Sequence, residues 1–231
     1  DAWAAYSIKK TIDKTGIPAI MTMHTYFGIE NTLDRKMGKV AKKIYCKILE
    51  KELMSLEVVN SIVAVDDRIK RHVENEIIKY KKGKNKCVFV MCIPNFTNTK
   101  KYKINATNKK TKAKEKYGIT EDKFVVCCAR RLVEKNGVIN LVKAMSYIND
   151  EDIVILIAGE GPQKDIIEKY IENKKIKNIS LLGSLKDEDI KELYGASDIS
   201  VVPSITVNGL QEATSISAIE SMACGLPTIA S

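Results

Sequence analysis

After Gly118 the chain alternates between short apolar runs and segments of helical period, and this alternation narrows the possible folds more than any other feature. The runs FVVCCA (124–129), DIVILIAG (152–159), NISLLG (178–183) and DISVVP (198–203) have almost no polar interruption. A strand that is apolar on both sides needs cover on both faces, which is the position of a parallel sheet sandwiched between helices. Between the runs stand GVINLVKAMSYI (137–148), PQKDIIEKYIE (162–172) and DEDIKELYGA (187–196), each with apolar residues at helical spacing. A last helix is expected from Ser215 to Cys224, stopped by Gly225 and Pro227, with PTIAS behind it as a strand. Strict β–α alternation of this kind predicts a doubly wound α/β sheet.

The first part of the chain follows the same grammar. DAWAAYSIKKTIDKTG reads as a helix ending at Gly16, IPAIMTMHTYFG as a strand opening into a loop at His24, and residues 35–56 as a helix with a lysine-rich outer face. SIVAV (61–65), DRIKRHVENEIIKY and KCVFVM (86–91) add strand, helix and strand. The expected organisation is therefore two Rossmann-like units, at 1–98 and 119–231, joined by a lysine-rich linker over 99–118.

Composition removes several classes of function. A length of 231 residues with 45% apolar and 29% charged residues suits a globular protein of two domains. No apolar run approaches the length of a membrane span, and the N-terminus has no signal-peptide pattern. The six cysteines (46, 87, 92, 127, 128, 224) form no CxxC pair and only two histidines are present, so no metal site is expected. Cys87, Cys127 and Cys128 lie in apolar runs as buried residues do, and a reducing, cytoplasmic setting fits. The net charge of +9 comes from 33 Lys and 5 Arg that are scattered rather than clustered, which argues against specific nucleic-acid recognition. The lysines of 35–56 permit weak attachment to anionic lipid, at the cytoplasmic face of a membrane.

In an open parallel sheet, ligands bind beyond the carboxyl ends of the strands. The residues placed there include His24, Arg130, Arg131, Gly159-Glu160-Gly161, Ser204 and the loop before the last helix. No GxGxxG, GxxxxGK[ST] or GxSxG pattern is present. The stretch EATS brings backbone N–H groups to a helix N-terminus, which is an anion site in outline, and Thr214 or Ser215 is the natural N-cap. Arg130, Arg131 and Lys135 follow a strand and would face it, while Glu212 precedes the helix and Glu220 lies on its second turn. Cations opposite a helix N-terminus suit a diphosphate, and carboxylates nearby suit hydroxyl donors. The acidic runs 149–152 and 187–189 are expected as caps and solvated turns.

EATSISAIESMACGLPTIAS resembles the E-x7-E signature of the retaining glycosyltransferase group 1 family (glycosyltransferase family 4, GT-B fold). ARRLVEKNGV, LIAGEGP, GASDISVVPS, VAVDDRIKRHV and IPNFTN resemble that family's other landmarks in the same order. The resemblance implies a metal-independent enzyme that transfers a sugar from a nucleotide-diphospho-sugar to a glycan, lipid or small-molecule acceptor, with no cofactor. It assigns Glu220 to the nucleotide ribose, Glu212 to the transferred sugar, and Arg131 and Lys135 to the diphosphate. Thr214, Ser215 and Ile216 would offer backbone donors, and His24 would stand near the sugar and acceptor. It also implies that both domains are incomplete here. Two departures stand out. Ala213-Thr214-Ser215 replaces a common glycine–aromatic–glycine, and the lysine stands one residue earlier than the commoner spacing, where this chain has Asn136. A nucleotide-sugar epimerase, a non-catalytic binding module and a basic nucleic-acid binder are the rival readings.

Overall fold

The computed structural model describes residues 5, 7–25, 43, 47, 48, 50, 52–55, 58–80, 88–102, 108–148, 150–207 and 211–231. The chain divides into two compact units, Asp1–Asn95 and Phe96–Ser231. Both are α/β units with parallel sheets.

In the first unit, helix α1 (Lys9–Thr15) ends where Gly16 adopts the left-handed conformation and returns its N–H to the Ile12 carbonyl. Strands β1 (Ile20–Met23), β2 (Ser61–Ala64) and β3 (Phe89–Cys92) pair in that order, all parallel. Helix α2 (Asp67–Tyr80) follows β2, and Asp66 caps it by accepting the Ile69 N–H at 2.7 Å. Ile69 and Val73, one turn apart on α2, are buried with Ile62 and Ala64 of β2. The helix expected over 35–56 lies largely outside the described residues; those described within it, 43, 47, 48, 50 and 52–55, are helical. Cys46 and Cys87 lie outside them too.

Among the described residues, the second unit carries the five remaining strands. These are β4 (Phe124–Ala129), β5 (Ile153–Ala158), β6 (Ile179–Gly183), β7 (Ile199–Val202) and β8 (Thr228–Ala230). Their order is β6-β5-β4-β7-β8, so the winding reverses between β4 and β7. Helices α4 (Val138–Met145), α5 (Lys164–Lys174), α6 (Asp187–Ala196) and α7 (Ile216–Ala223) make the crossovers.

The period-two geometry of a strand explains why these strands are apolar throughout. Cys128, Ile155 and Ile157 face one core with Leu132, Val138, Val142 and Ile167. Their neighbours Cys127, Leu156 and Ala158 face the other, with Val125, Ile119, Leu193, Tyr194 and Tyr102. Cys127 and Cys128 are thus buried on opposite faces. Burial pushes their thiols up, to about 11 and about 12.

Residues 99–118, expected as a linker, belong to the second unit. They carry helix α3 (Asn108–Lys116), which packs on α6. Lys114 is buried, and its ammonium donates to the carbonyls of Glu121 at 2.9 Å and Lys123 at 2.6 Å. Lysine density had concealed the helix, because no apolar stripe marks it; here the lysines make the tertiary contacts themselves.

The strand ends are stitched tightly. Arg130 N–H donates to the Ala158 carbonyl at 2.8 Å, Leu132 N–H to that of Glu160 at 3.0 Å, and Gly159 N–H to that of Gly183 at 2.7 Å. Gly159 has φ +148°, and a Cβ there would lie 1.9 Å from the Arg130 carbonyl oxygen. Gly118 has φ +67° but opens onto free space. Gly159→Ala is therefore expected to cost several kcal/mol and Gly118→Ala about 1–2 kcal/mol. Denaturant unfolding of the two variants checks this; equal losses would show that the close approach relaxes.

The buried thiols set a second expectation. An unfolded chain ionises its cysteines near the ordinary value of 9.0, below the raised values of Cys127 and Cys128 in the fold. Their contribution is fully present below pH 9.0 and is lost as pH rises through about 11 to about 12. Unfolding midpoints measured from pH 8 to 11, beside the Cys127→Ala and Cys128→Ala variants, should show a smaller alkaline loss in the variants.

Candidate functional site

The reversal between β4 and β7 opens a crevice at the carboxyl ends of the second unit's strands, the place where doubly wound sheets bind ligands. A cleft of about 360 Å³ lies there. Ala129, Ala158, Leu185, Ile190 and Tyr194 give it apolar walls, while Arg130, Arg131, Glu160, Ser217 and Glu220 supply charge and hydrogen-bonding groups. The groups come from the end of β4 (Arg130, Arg131), the end of β5 (Glu160) and helix α7 (Ser217, Glu220), so the parallel sheet is what gathers them.

Helix α7 brings its N-terminus to this crevice. The first N–H groups of a helix have no intrahelical carbonyl to reach. Ser215 is the N-cap residue, yet its hydroxyl makes no capping bond. It instead accepts from Arg130 Nη1 at 2.7 Å and shares a hydrogen bond with Ser217 Oγ at 3.0 Å. The Ser215 side chain thus adds no hydrogen bond to this helix end, whose dipole attracts an anion.

Arg130 is the hub of the site. Its side chain is only 7% exposed, and its guanidinium pairs with Glu212 Oε2. The same group donates to Asn136 Oδ1 at 2.7 Å and Ser204 Oγ at 3.3 Å. Ser204 in turn donates to Glu212 Oε2. Asn136 donates from Nδ2 to the Arg131 carbonyl at 2.8 Å and is itself buried. One planar cation therefore joins the ends of β4 and β7, the 3-10 turn Glu134–Asn136 and the loop before α7. Arg130 Nε is buried with no hydrogen-bond partner among the described residues.

Arg131 is exposed and lines the cleft, and Glu220 lines it from the second turn of α7. Thr214, Ser215 and Ile216 form the start of α7. Lys135 sits in the 3-10 turn, where its carbonyl accepts the Ile205 N–H at 2.9 Å; it is not among the cleft-lining residues. Glu212 is partly buried against Arg130 and Ser204. His24 belongs to the first unit and is exposed directly after β1.

The sequence placed Arg130 at the strand end without its inward role, and gave no role to Asn136 or Tyr102. Arg130 and Arg131 are adjacent strand-end arginines, and only side-chain direction separates an inward hub from a cleft-lining cation. Asn136 registered only as a displaced lysine. Tyr102, 5% exposed, donates its hydroxyl to Glu220 Oε1 at 2.6 Å from within the stretch read as a linker. The acidic run at 187–189 forms the first turn of α6, where Asp187 and Asp189 pair with Lys101 at 2.6 Å and Lys116 at 2.9 Å. No cluster of metal-ligating side chains is found among the described residues.

The family model described as glycosyl transferases group 1 matches residues 109–231. The chain belongs to this family. A curated relative, the alpha-monoglucosyldiacylglycerol synthase of Acholeplasma laidlawii, is 28% identical over 94% of this chain and 53% of its own length. The GDP-mannose-dependent monoacylated alpha-(1-6)-phosphatidylinositol monomannoside mannosyltransferase of Corynebacterium glutamicum is 29% identical over 60% of this chain and 37% of its own. Among solved structures, Anabaena HepE in complex with UDP and glucose aligns with a TM-score of 0.74 at 17% identity, covering 100% of this chain and 57% of that one. That likeness is one of fold, and the fold is the parallel α/β arrangement of GT-B glycosyltransferases. The chain spans about half the length of its curated relative from Acholeplasma laidlawii and of HepE.

Removing the hub charge should expose how much the site depends on it. Breaking a buried ion pair from one side costs about 3–5 kcal/mol. Arg130→Met is expected to destabilise by the lower part of that range, since Glu212 keeps some solvent, and Arg130→Met/Glu212→Gln by less than the sum of the single changes. A denaturant-unfolding double-mutant cycle measures the coupling; strict additivity would show that the pair is not a unit.

Proposed function

We propose that the protein is a retaining glycosyltransferase that moves a sugar from a nucleotide-diphospho-sugar to an acceptor hydroxyl without a metal ion. The observation that carries the reading is the meeting of Glu220, Arg131 and the α7 N-terminus at one cleft on the sheet's switch point. Apolar walls suit a nucleobase, the Glu220 carboxylate accepts ribose hydroxyls, and Arg131 with the first-turn N–H groups receives the diphosphate. Lys135 adds positive charge to the same loop. Glu212, held by Arg130 and Ser204 rather than left mobile, is the carboxylate assigned to the transferred sugar.

Chemistry in such a site is mainly electrostatic. The bond from the anomeric carbon to the diphosphate oxygen lengthens as negative charge gathers on the leaving group. The helix N-terminus and Arg131 stabilise that charge. The acceptor oxygen enters on the same face and its proton passes to the departing phosphate oxygen, so the configuration is retained without a covalent enzyme intermediate. No described side chain at the cleft is a convincing nucleophile on its own. The names of the two curated relatives contain diacylglycerol and phosphatidylinositol. A lipid acceptor is therefore the favoured class here, with the lysine-rich surface supporting contact with anionic membrane at the cytoplasmic face. No helix among the described residues is long and apolar enough to cross a membrane.

The two glutamates give the test. In the full-length protein, Glu220→Ala should weaken binding of nucleoside diphosphate and of the full donor by roughly 1.5–3 kcal/mol, the worth of one charged hydrogen-bonding partner. Glu212→Ala should largely spare nucleoside diphosphate affinity, abolish most transfer, and lower stability because Arg130 loses its counterion. Titration calorimetry with UDP and GDP, beside a transfer assay with diacylglycerol in vesicles, reads both. Equal loss of nucleotide affinity in the two variants would reject this division, and full activity in both would remove the site.

A further inference from the structure

Tyr102 stands in a stretch with little else to recommend it, TKKYKIN, and is nonetheless among the buried residues of the second unit. Its backbone is set by Asn98. The Asn98 Oδ1 accepts N–H groups of Lys100 at 3.1 Å and Lys101 at 3.3 Å, and its carbonyl accepts those of Lys101 at 2.9 Å and Tyr102 at 3.2 Å. Lys101 then pairs with Asp187 at the start of α6. The ring packs in one buried cluster with Ile119, Val125, Cys127 and Tyr194. From there the hydroxyl donates to Glu220 Oε1 at 2.6 Å, the short range of a bond from O–H to a carboxylate.

The consequence falls on Glu220. A glutamate on the second turn of an eight-residue helix would otherwise sample several rotamers at the cleft wall. With Oε1 held by a buried phenol, the carboxylate plane is fixed, and Oε2 is the oxygen that Tyr102 does not engage. A carboxylate so held accepts hydroxyl donors and repels phosphate. Its ordering cost is met during folding rather than at binding. We propose that Tyr102 is a positioning residue that presets Glu220 to read the ribose hydroxyls, so that the site selects ribonucleotides over nucleotides lacking them. This rests on the reading of Glu220 as the ribose acceptor.

The test uses the full-length protein and three probe pairs: UDP, GDP and ADP, each with its 2′,3′-dideoxy counterpart. Titration of the unaltered protein should show at least one ribonucleotide bound about tenfold or more tighter than its dideoxy partner. Tyr102→Phe, which keeps the ring and removes only the hydroxyl, should weaken that ribonucleotide roughly 3- to 30-fold and leave the dideoxy form within about twofold. Added to Glu220→Gln, the same change should have little further effect. An unchanged ribo-to-dideoxy ratio, or equal loss on both forms, would overturn the role of Tyr102 while leaving the ribose reading in place. Failure of the unaltered protein to bind any probe, or to prefer the ribo form, would instead overturn the reading of Glu220. A phenylalanine variant too unstable to titrate would show the hydroxyl to be structural and overturn the inference.

Discussion

A single buried guanidinium carries the architecture of the cleft. Arg130 has given up water, and a charge in that position must be paired and hydrogen-bonded to be tolerated. Its acceptors come from four places in the chain: Asn136, Ser204, Glu212 and the α7 serines. A parallel sheet brings strand ends to one rim but does not dictate how the loops beyond them are arranged. Here the arrangement follows from the geometry of one planar cation, because each loop must present an oxygen to it. The serine at the N-cap illustrates the priority. Its hydroxyl serves the arginine and not its own helix, so the electropositive end of α7 remains uncapped by the side chain best placed to cap it.

The sheet and most of its helices were legible in the sequence because burial on both faces leaves an unmistakable apolar run. FVVCCA and DEDIKELYGA coincide with β4 and α6 to the residue. DRIKRHVENEIIKY likewise coincides with α2, whereas GVINLVKAMSYI stops three residues early at Met145 and PQKDIIEKYIE runs two residues further to Lys174, as helix ends do when neighbours compete for their hydrogen bonds. Helix α3 escaped because its sequence, NKKTKAKEK, has almost no apolar face; its place is set by Lys114 and Lys116 reaching carbonyls and carboxylates elsewhere. That information resides in tertiary partners and has no periodic signature.

The site was legible in outline and opaque in detail for a related reason. Residue types and spacing pointed to Glu212, Glu220, Arg131 and the start of α7. They carried no sign that Arg130 turns inward, that Asn136 braces both arginines, or that Tyr102 lies under Glu220. Each of these depends on which way one side chain points at the end of a strand or turn. Part of the positive charge also changes meaning in the folded chain. Lys101, Lys116 and Lys123 have acidic partners within the second unit, so these lysines serve tertiary contacts and not a cationic patch for an external partner.

The position of Tyr102 bears on how such chains can diverge. The family model matches from residue 109, whereas the folded unit begins at Phe96. A recombination event that exchanged only the matched region between two relatives would leave behind the residue that fills the core beneath Glu220. The incoming helix would then meet whatever side chain its new host carried there. The folded unit is therefore longer than the stretch that the family model matches, and the extra length is lysine-rich sequence that carries a buried partner of Glu220.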